Sequence, residues 1–197
     1  MKVEDIKLTG TVVELRPMTV ADVDKLFDAA NFPQLWKWTN NVISTRDDMA
    51  KYVGSALADR AADRALPFVT TDVITGEVIG STRFGNIETA HRKAEIGWTW
   101  VTPSRQRSAV NTEAKLLMLK HAFEMWKCVR VELKTDANNE RSRNAILRIG
   151  AREEGILRNH MITDAGRFRD SVYFSIIESE WPSVLQDLTA KLERNYV

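Results

Sequence analysis

Two polar turns, each lying between a strand-like run and a helix-like run, hold residue types that could bind a phosphorylated ligand. The first lies within residues 95–114, where a strand pattern gives way to Arg105 and Arg107 and then to a long amphipathic pattern. A helix N-terminus carries unpaired amide N–H groups and a positive dipole end, which suit a pyrophosphate. The same residues also fit an ordinary basic turn before a helix, so this stretch alone leaves both interpretations open.

The second turn lies within residues 133–151 and again comes after a strand-like run. Asn139 and Ser142 are three residues apart, so both side chains face the same side near the start of the predicted helix. Asn139 also fits an N-cap, with Ser142 contacting the backbone. The two roles are compatible, because a polar side chain at this position can cap a helix and contact a ligand.

Other reactive residue types are few and scattered. The histidines are His91, His121 and His160, and their spacing is not that of metal ligands, so no metal site is predicted. We interpret His121 as a core residue, because it lies on the apolar face of a predicted helix. Cys128 is the only cysteine, and we interpret it as a buried core thiol rather than a nucleophile.

Apolar periodicity predicts an α+β fold with α/β/α layering in a single domain over residues 1–197. Alternation and turn residues predict seven strands, and spacing of three and four residues predicts five helices. The strands are expected at 11–16, 66–73, 77–84, 94–101, 130–135, 151–162 and 167–177, and the helices at 20–30, 47–63, 110–126, 139–149 and from Pro182 onward. An antiparallel first half with strand–helix–strand crossovers after it predicts a mixed, mostly antiparallel sheet with helices on both faces.

The composition excludes several classes of protein. Twenty-eight basic residues balance 27 acidic ones, which argues against a nucleic-acid binder that relies on bulk charge. No apolar run approaches the roughly 20 residues that span a bilayer, and the N-terminus lacks a signal-peptide core. We therefore expect a cytoplasmic protein that binds neither membranes nor nucleic acid.

Taken together, the two turns and a third stretch after them resemble the GNAT acetyltransferase superfamily. Within it, they are most similar to the RimJ/RimL-type branch of ribosomal-protein N-terminal acetyltransferases. The family's coenzyme A signature, Q/R-x-x-G-x-G/A, falls on residues 106–111. The Glu-Ile-Gly-Trp strand at 95–98, the Asn139-x-x-Ser142 pair and the run 153–158 also match that branch, so the resemblance covers roughly residues 10–180.

The resemblance implies that acetyl coenzyme A is a co-substrate and that the backbone at 98–101 polarises its thioester carbonyl. It further implies that Ser142 protonates the leaving thiolate, since Ile146 stands where many members have a tyrosine. The implied cofactor-binding residues are Trp98, Thr99, Trp100, Val101, Gln106, Arg107, Ser108, Ala109, Val110, Asn111, Asn139 and Ser142. Arg107 and Ala109 depart from common glycines, and Ala109 would cost energy if the turn required a positive φ.

Glu95 is the candidate catalytic base, for a neutral amine that attacks the thioester directly in a ternary complex. Two-residue alternation predicts that Glu95 shares a face with Gly97 and Thr99. A solvated glutamate is a weak base, so the role requires partial burial. The alternative is a strand-edge glutamate paired with Arg92 or Lys93.

The predicted function is therefore N-acyl transfer, most simply of acetyl, to a primary amine. A peptide N-terminus is the first acceptor considered, and polyamines, aminoglycoside-like amines and amino acids are alternatives. His160 is an alternative base beside the acceptor cleft, while Trp36 and Trp38 could line that cleft or simply pack against the sheet. A non-catalytic coenzyme A-binding protein and a transferase using succinyl coenzyme A remain alternatives, and the resemblance suggests a homodimer.

Overall fold

A computed structural model describes residues 1–194 and has one eight-stranded sheet at its centre. The strands lie in the order β1-β2-β3-β4-β5-β6-β8-β7, and every adjacent pair is antiparallel except β5 and β6. They are β1 Leu8–Thr9, β2 Val13–Pro17, β3 Leu66–Asp72, β4 Val78–Glu88, β5 Lys93–Val101, β6 Arg130–Asp136, β7 Arg152–Ile162 and β8 Phe168–Ile177. The predicted mixed, mostly antiparallel sheet is confirmed, with the two-residue β1 as an eighth strand.

Five α-helices cover the two faces of the sheet. They are α1 Val23–Ala30, α2 Arg46–Ala61, α3 Val110–Lys120, α4 Glu140–Arg148 and α5 Trp181–Arg194. Thr45 caps α2, because its side chain accepts a hydrogen bond from the Asp48 amide. The last helix begins one residue before Pro182, and the helix predicted from residue 20 begins with a 3-10 turn.

Two hydrophobic cores lie on opposite faces of the sheet. One contains side chains of α3 and α5 with Phe84, Ile96 and Cys128, and the other contains side chains of α1 and α2 with Trp100. Burial raises the pKa of Cys128 to about 11, which fits the predicted core thiol. Each helix therefore buries an apolar face against the same sheet, as the α/β/α layering predicts.

The long helix after the first turn changes geometry before it ends. Residues His121–Met125 form a π-helical turn, which adds a residue and rotates the side chains after it around the helix axis. The apolar period predicts Met125 on the buried face, but Met125 is 71% exposed because of this rotation. His121 packs against Phe84 and Trp126, whose rings also contact each other, and burial lowers its pKa.

A gap opens in the middle of the sheet between the two parallel strands. β5 and β6 pair only through Lys93–Glu95 and Arg130–Glu132, whereas β5 continues along β4 and β6 continues along β8. The facing edges of residues 97–101 and 133–136 form a feature that we call the β5–β6 gap. Because α3 comes after β5 and α4 comes after β6, the gap brings the two polar turns of the sequence side by side.

Among residues 1–194, no helix is long and apolar enough to cross a lipid bilayer.

Candidate active site

The turn before α3 is built from residues 102–109 and stiffened by its own side chains. The Ser108 hydroxyl donates to the Arg105 carbonyl at 2.6 Å and accepts from the Val110 amide at 3.3 Å. The Glu113 amide donates to the Ala109 carbonyl at 2.9 Å, in the first turn of the helix. The amides that precede this bond lie at the positive end of the helix dipole, where an anion binds favourably.

The backbone strain in this turn falls on Arg107 rather than on Ala109. Arg107 has a φ of 60°, whereas Ala109 has a φ of −67° in the right-handed helical region. A non-glycine residue in the left-handed region costs about 1–2 kcal/mol. Alanine at 109 therefore carries no conformational cost. The glycine that is common in the family would relieve strain only at position 107, where φ is positive.

The basic residues of this turn have different surroundings. Arg105 forms ion pairs with Asp72 at 3.2 Å and with Glu77 at 3.7 Å, so its charge is largely neutralised locally. Arg107 is exposed to solvent. Arg107 is therefore better placed than Arg105 to supply positive charge at the start of α3.

Side chains join the two turns to each other. The Gln106 amide donates to the Val101 carbonyl at 2.7 Å, and Gln106 accepts from Arg141 of α4 at 2.6 Å. Asn139 is the N-cap of α4, since its side chain accepts from the Ser142 amide at 3.1 Å. The predicted cap is confirmed, and Ser142 is half-buried in the first turn of α4.

The remaining predicted cofactor contacts differ in the groups that they expose. Val110 lies in the α3-side core and Trp100 in the α1/α2-side core, so they can offer a ligand only their backbone. Val101 is half-buried, and its carbonyl already accepts the bond from Gln106. Asn111 is half-buried on the first turn of α3.

Glu95 lies in the interior of the sheet, where its side chain is only 3% exposed. Its Oε2 accepts hydrogen bonds from Asn86 at 2.7 Å and from the Lys134 ammonium at 2.8 Å. The partial burial expected of a catalytic carboxylate is present, and its ionic partner is Lys134 of β6. The alternative pairing is wrong, because Lys93 instead binds Glu88 at 2.9 Å.

Thr99 does not share a face with Glu95, contrary to the alternation rule. Trp98 has a φ of 50°, and the register with β4 shifts between Ser81 and Arg83, so a bulge inserts an extra residue. The Thr99 hydroxyl therefore turns toward α3, where it accepts from Lys115 at 2.6 Å, and the side chain of Trp98 lies on the other face of the sheet.

Lys115 is a buried amine that reasoning from the sequence missed. It is 5% exposed, its Nζ donates to the hydroxyls of Thr99 and of Thr82 at 2.6 and 3.2 Å, and these hydroxyls lie 2.8 Å apart. Burial lowers the pKa of Lys115 to about 7. Its position three residues before the buried Met118 on α3 was a signal for burial that the pattern contained.

His160 lies on the other side of the gap, within a polar cluster that includes Glu95 and Lys134. Its Nδ1 is 3.0 Å from the Ser171 hydroxyl, and its ring meets the Tyr173 ring edge to face. Burial is the largest cause that lowers the pKa of His160, and the charge of Lys134 lowers it further. This environment favours a neutral imidazole, which is the form that can accept a proton.

A cavity of about 260 Å³ lies between the connection that precedes α2 and the β7–β8 turn. Trp36 lines it, but it is buried, donates to the Ala30 carbonyl at 3.0 Å and packs on Trp100, so it also belongs to the core. Trp38 is half-buried, with the Arg167 guanidinium 5.5 Å from its ring. Trp36 therefore both packs against the sheet and borders this cavity.

Among the residues that the structure describes, no group of three or more His, Cys, Asp or Glu side chains is placed to hold a metal ion.

Comparisons with known proteins place this arrangement among acetyltransferases. A family model described as an acetyltransferase (GNAT) domain matches residues 13–152. A Bacillus subtilis (strain 168) protein named "Putative ribosomal N-acetyltransferase YdaF" is 33% identical over 106 residues, which cover 54% of this chain and 57% of that protein. The chain thus spans little more than half the length of this curated relative.

Solved structures agree over nearly the whole chain. A GCN5-related N-acetyltransferase from Brucella melitensis superposes with a TM-score of 0.88 and 31% identity, covering 96% of this chain and 86% of that one. Mycobacterium smegmatis RimJ in complex with CoA-disulfide superposes with a TM-score of 0.79 and 28% identity, covering 95% of this chain and 93% of RimJ.

Proposed function

The chain belongs to the GNAT acetyltransferase family, and from that premise we propose that it transfers an acetyl group from acetyl coenzyme A to a primary amine. A peptide N-terminus is the first acceptor to test. The observation that carries the proposal is the β5–β6 gap, where residues 97–101 of β5 lack a β6 partner in the described chain. An unpaired strand edge inside a sheet offers backbone donors and acceptors to an extended ligand.

The residues around the gap fit a coenzyme A thioester. The amides at the start of α3 suit its pyrophosphate, and the edge of β5 suits the amide groups of its pantetheine arm. When bound, the thioester supplies a carbonyl activated for attack by an amine. The bulge at Trp98 tilts the local peptide groups out of the regular ladder, so they are available to polarise a carbonyl.

Glu95 acts in this proposal as the base that takes the proton of the acceptor amine. Its Oε2 is held by Asn86 and Lys134, whereas a Cβ at Gly97 would lie only 2.9 Å from Oε1. A side chain at position 97 would therefore press against Oε1, and the glycine leaves space beside this oxygen. An α-amine with a pKa of about 8 is roughly 10% neutral at pH 7, so a carboxylate base is sufficient.

Ser142 acts as the donor that protonates the leaving thiolate. It lies just after the Asn139 cap at the start of α4, and the N-terminal end of a helix also stabilises a nearby thiolate. The hydroxyl is half-buried, and its rotation is free to serve the sulfur because its own amide, rather than the hydroxyl, binds Asn139.

The test measures thiol release from acetyl coenzyme A with a peptide acceptor, in native protein and in Glu95→Gln and Ser142→Ala. We expect kcat to fall about 100-fold or more in each of these two variants, the scale of general acid–base catalysis. Glu178→Gln, an exposed glutamate, is the matched control and should keep native activity.

Calorimetry separates binding from turnover. Acetyl coenzyme A should bind the native chain and not Ala109→Trp, whose side chain would fill the turn before α3. Binding without thiol release from any amine would leave a coenzyme A-binding protein and refute transfer, and faster release from succinyl coenzyme A would replace acetyl as the donor.

A further inference from the structure

Arg83 is a buried cation that forms no ion pair in the described chain. It lies on β4 and is 3% exposed, and its Nε is buried without a hydrogen-bond partner. No ion pair or hydrogen bond to its other guanidinium nitrogens forms within residues 1–194. A guanidinium offers five N–H donors, and burying a charge without partners is costly. The missing acceptors therefore indicate that a ligand supplies them.

The surrounding residues hold this guanidinium by its faces. Its central carbon lies 4.7 Å from the Trp98 ring centre and 5.1 Å from that of Tyr52. Contacts between a planar cation and aromatic faces leave the in-plane N–H donors unused. Arg83 is thus positioned firmly while its hydrogen-bonding edge stays without an acceptor.

The backbone departs from regular strand geometry at Trp98, next to this arrangement. Trp98 lies in the left-handed region, at a cost of about 1–2 kcal/mol for a non-glycine residue. Its indole covers Gly85, where a Cβ would come within 2.3 Å of the ring. A strained tryptophan and a glycine together bring the indole over Arg83, and backbone strain of this kind clusters at ligand-binding sites.

Arg83 and Glu95 arise from neighbouring positions on the same face of the sheet. Arg83 pairs with Gly97 and Glu95 pairs with Gly85, so the two residues lie diagonally across adjacent strands. Trp98 contacts Arg83, and Lys134 both binds Glu95 and lies 5.9 Å from the Trp98 ring. A carboxylate suited to an ammonium thus lies near a guanidinium suited to a carboxylate.

We infer that Arg83 binds a carboxylate of the acceptor, so that the enzyme prefers primary amines that carry an acid group close to the amine. The inference rests on the proposed function and names the substrate class of that site. Arg and carboxylate form paired, charge-assisted hydrogen bonds, and the free in-plane donors of Arg83 match that geometry. A free α-amino acid and a peptide with an acidic first residue share this chemistry.

The experiment compares matched acceptors by initial rates of thiol release. One arm compares leucine with leucinamide, and the other compares two C-terminally amidated peptides that begin with Asp or with Asn. We expect kcat/KM to be at least 10-fold higher for the acid member of one arm. That arm shows whether the bound carboxylate belongs to a free amino acid or to the acidic first residue of a peptide. Equal values in both arms overturn the inference.

Variants assign the preference to Arg83. In Arg83→Gln the ratio of acid to neutral kcat/KM should fall to about one, and in Arg83→Lys it should be intermediate because the paired donors are lost. Lys51→Met, an exposed position on α2, is the control and should keep the native ratio. A native ratio in a folded Arg83→Gln protein, checked by acetyl coenzyme A binding, also overturns the inference.

A measurement on the native protein does not depend on any variant folding. 4-Methylpentanoate, which is leucine without its amine, should inhibit competitively against the acceptor when leucine is the preferred source, and 4-methylpentanamide should not. When leucine is the preferred source, equal effects of the two would contradict the inference. Absence of thiol release with every amine would instead refute the proposed function, whereas release without discrimination refutes only the role of Arg83.

Discussion

Replacing Lys115 by methionine should change how the stability of the protein depends on pH. The amine is buried between α3 and β5, where it donates to the hydroxyls of Thr99 and Thr82. Methionine has a similar length and no charge. The two threonine hydroxyls still lie 2.8 Å apart and can bind each other, so we expect the variant to fold.

The magnitude of this change depends on the pKa of the buried amine. Burial lowers the pKa of Lys115 from 10.5 to about 7. Between these values the unfolded chain holds the proton and the folded chain does not, so the free energy of unfolding rises with pH. Below about pH 7 both states are protonated, and the folded state carries the full cost of the buried charge. From about pH 7 to about pH 9 the native protein should gain about 2 kcal/mol relative to Lys115→Met.

Urea unfolding at several pH values measures this difference, because all other titrating groups are common to both proteins and cancel. Lys120→Met, an exposed position on the same helix, is the control and should give a curve parallel to that of the native protein. Parallel curves for native protein and Lys115→Met between about pH 7 and about pH 9 would refute the assignment of a depressed pKa to this amine.

Arg107→Gly should raise the free energy of unfolding by about 1 kcal/mol, because it relieves a φ of 60°. Ala109→Gly should not stabilise the protein, because φ there is −67°. Thermal unfolding compares the two variants. Glu113→Gln should destabilise by about 2–4 kcal/mol, since this buried carboxylate accepts bonds from the amides of residues 11–13 and from the Thr11 hydroxyl; an unchanged urea midpoint would contradict this. Cys128, whose pKa burial raises to about 11, should react with a thiol reagent only as fast as the protein unfolds, and rapid labelling in the native state would disprove that reasoning.

Most elements of the fold could be predicted because their signals are local. Asn139 caps its helix as expected, since a cap depends on a side chain and amides two or three residues away. Strand alternation and helical spacing likewise predicted the order of elements and the mixed sheet. The π-helical turn at His121–Met125 was missed, because the apolar spacing of the helix does not reveal the packing of His121 against Phe84 and Trp126.

In the candidate site, too, the features set by local sequence could be predicted and those set by contacts between distant strands could not. The sequence by itself determined which turns precede α3 and α4 and that Glu95 and Ser142 lie next to them, because strand, turn and helix are consecutive there. Only the tertiary structure decided that Glu95 pairs with Lys134, that Thr99 turns toward Lys115 and that Arg83 forms no ion pair in the described chain. These depend on the bulge at Trp98 and on where β5 and β6 separate, and both arise from register between distant strands, which alternation within one strand does not encode.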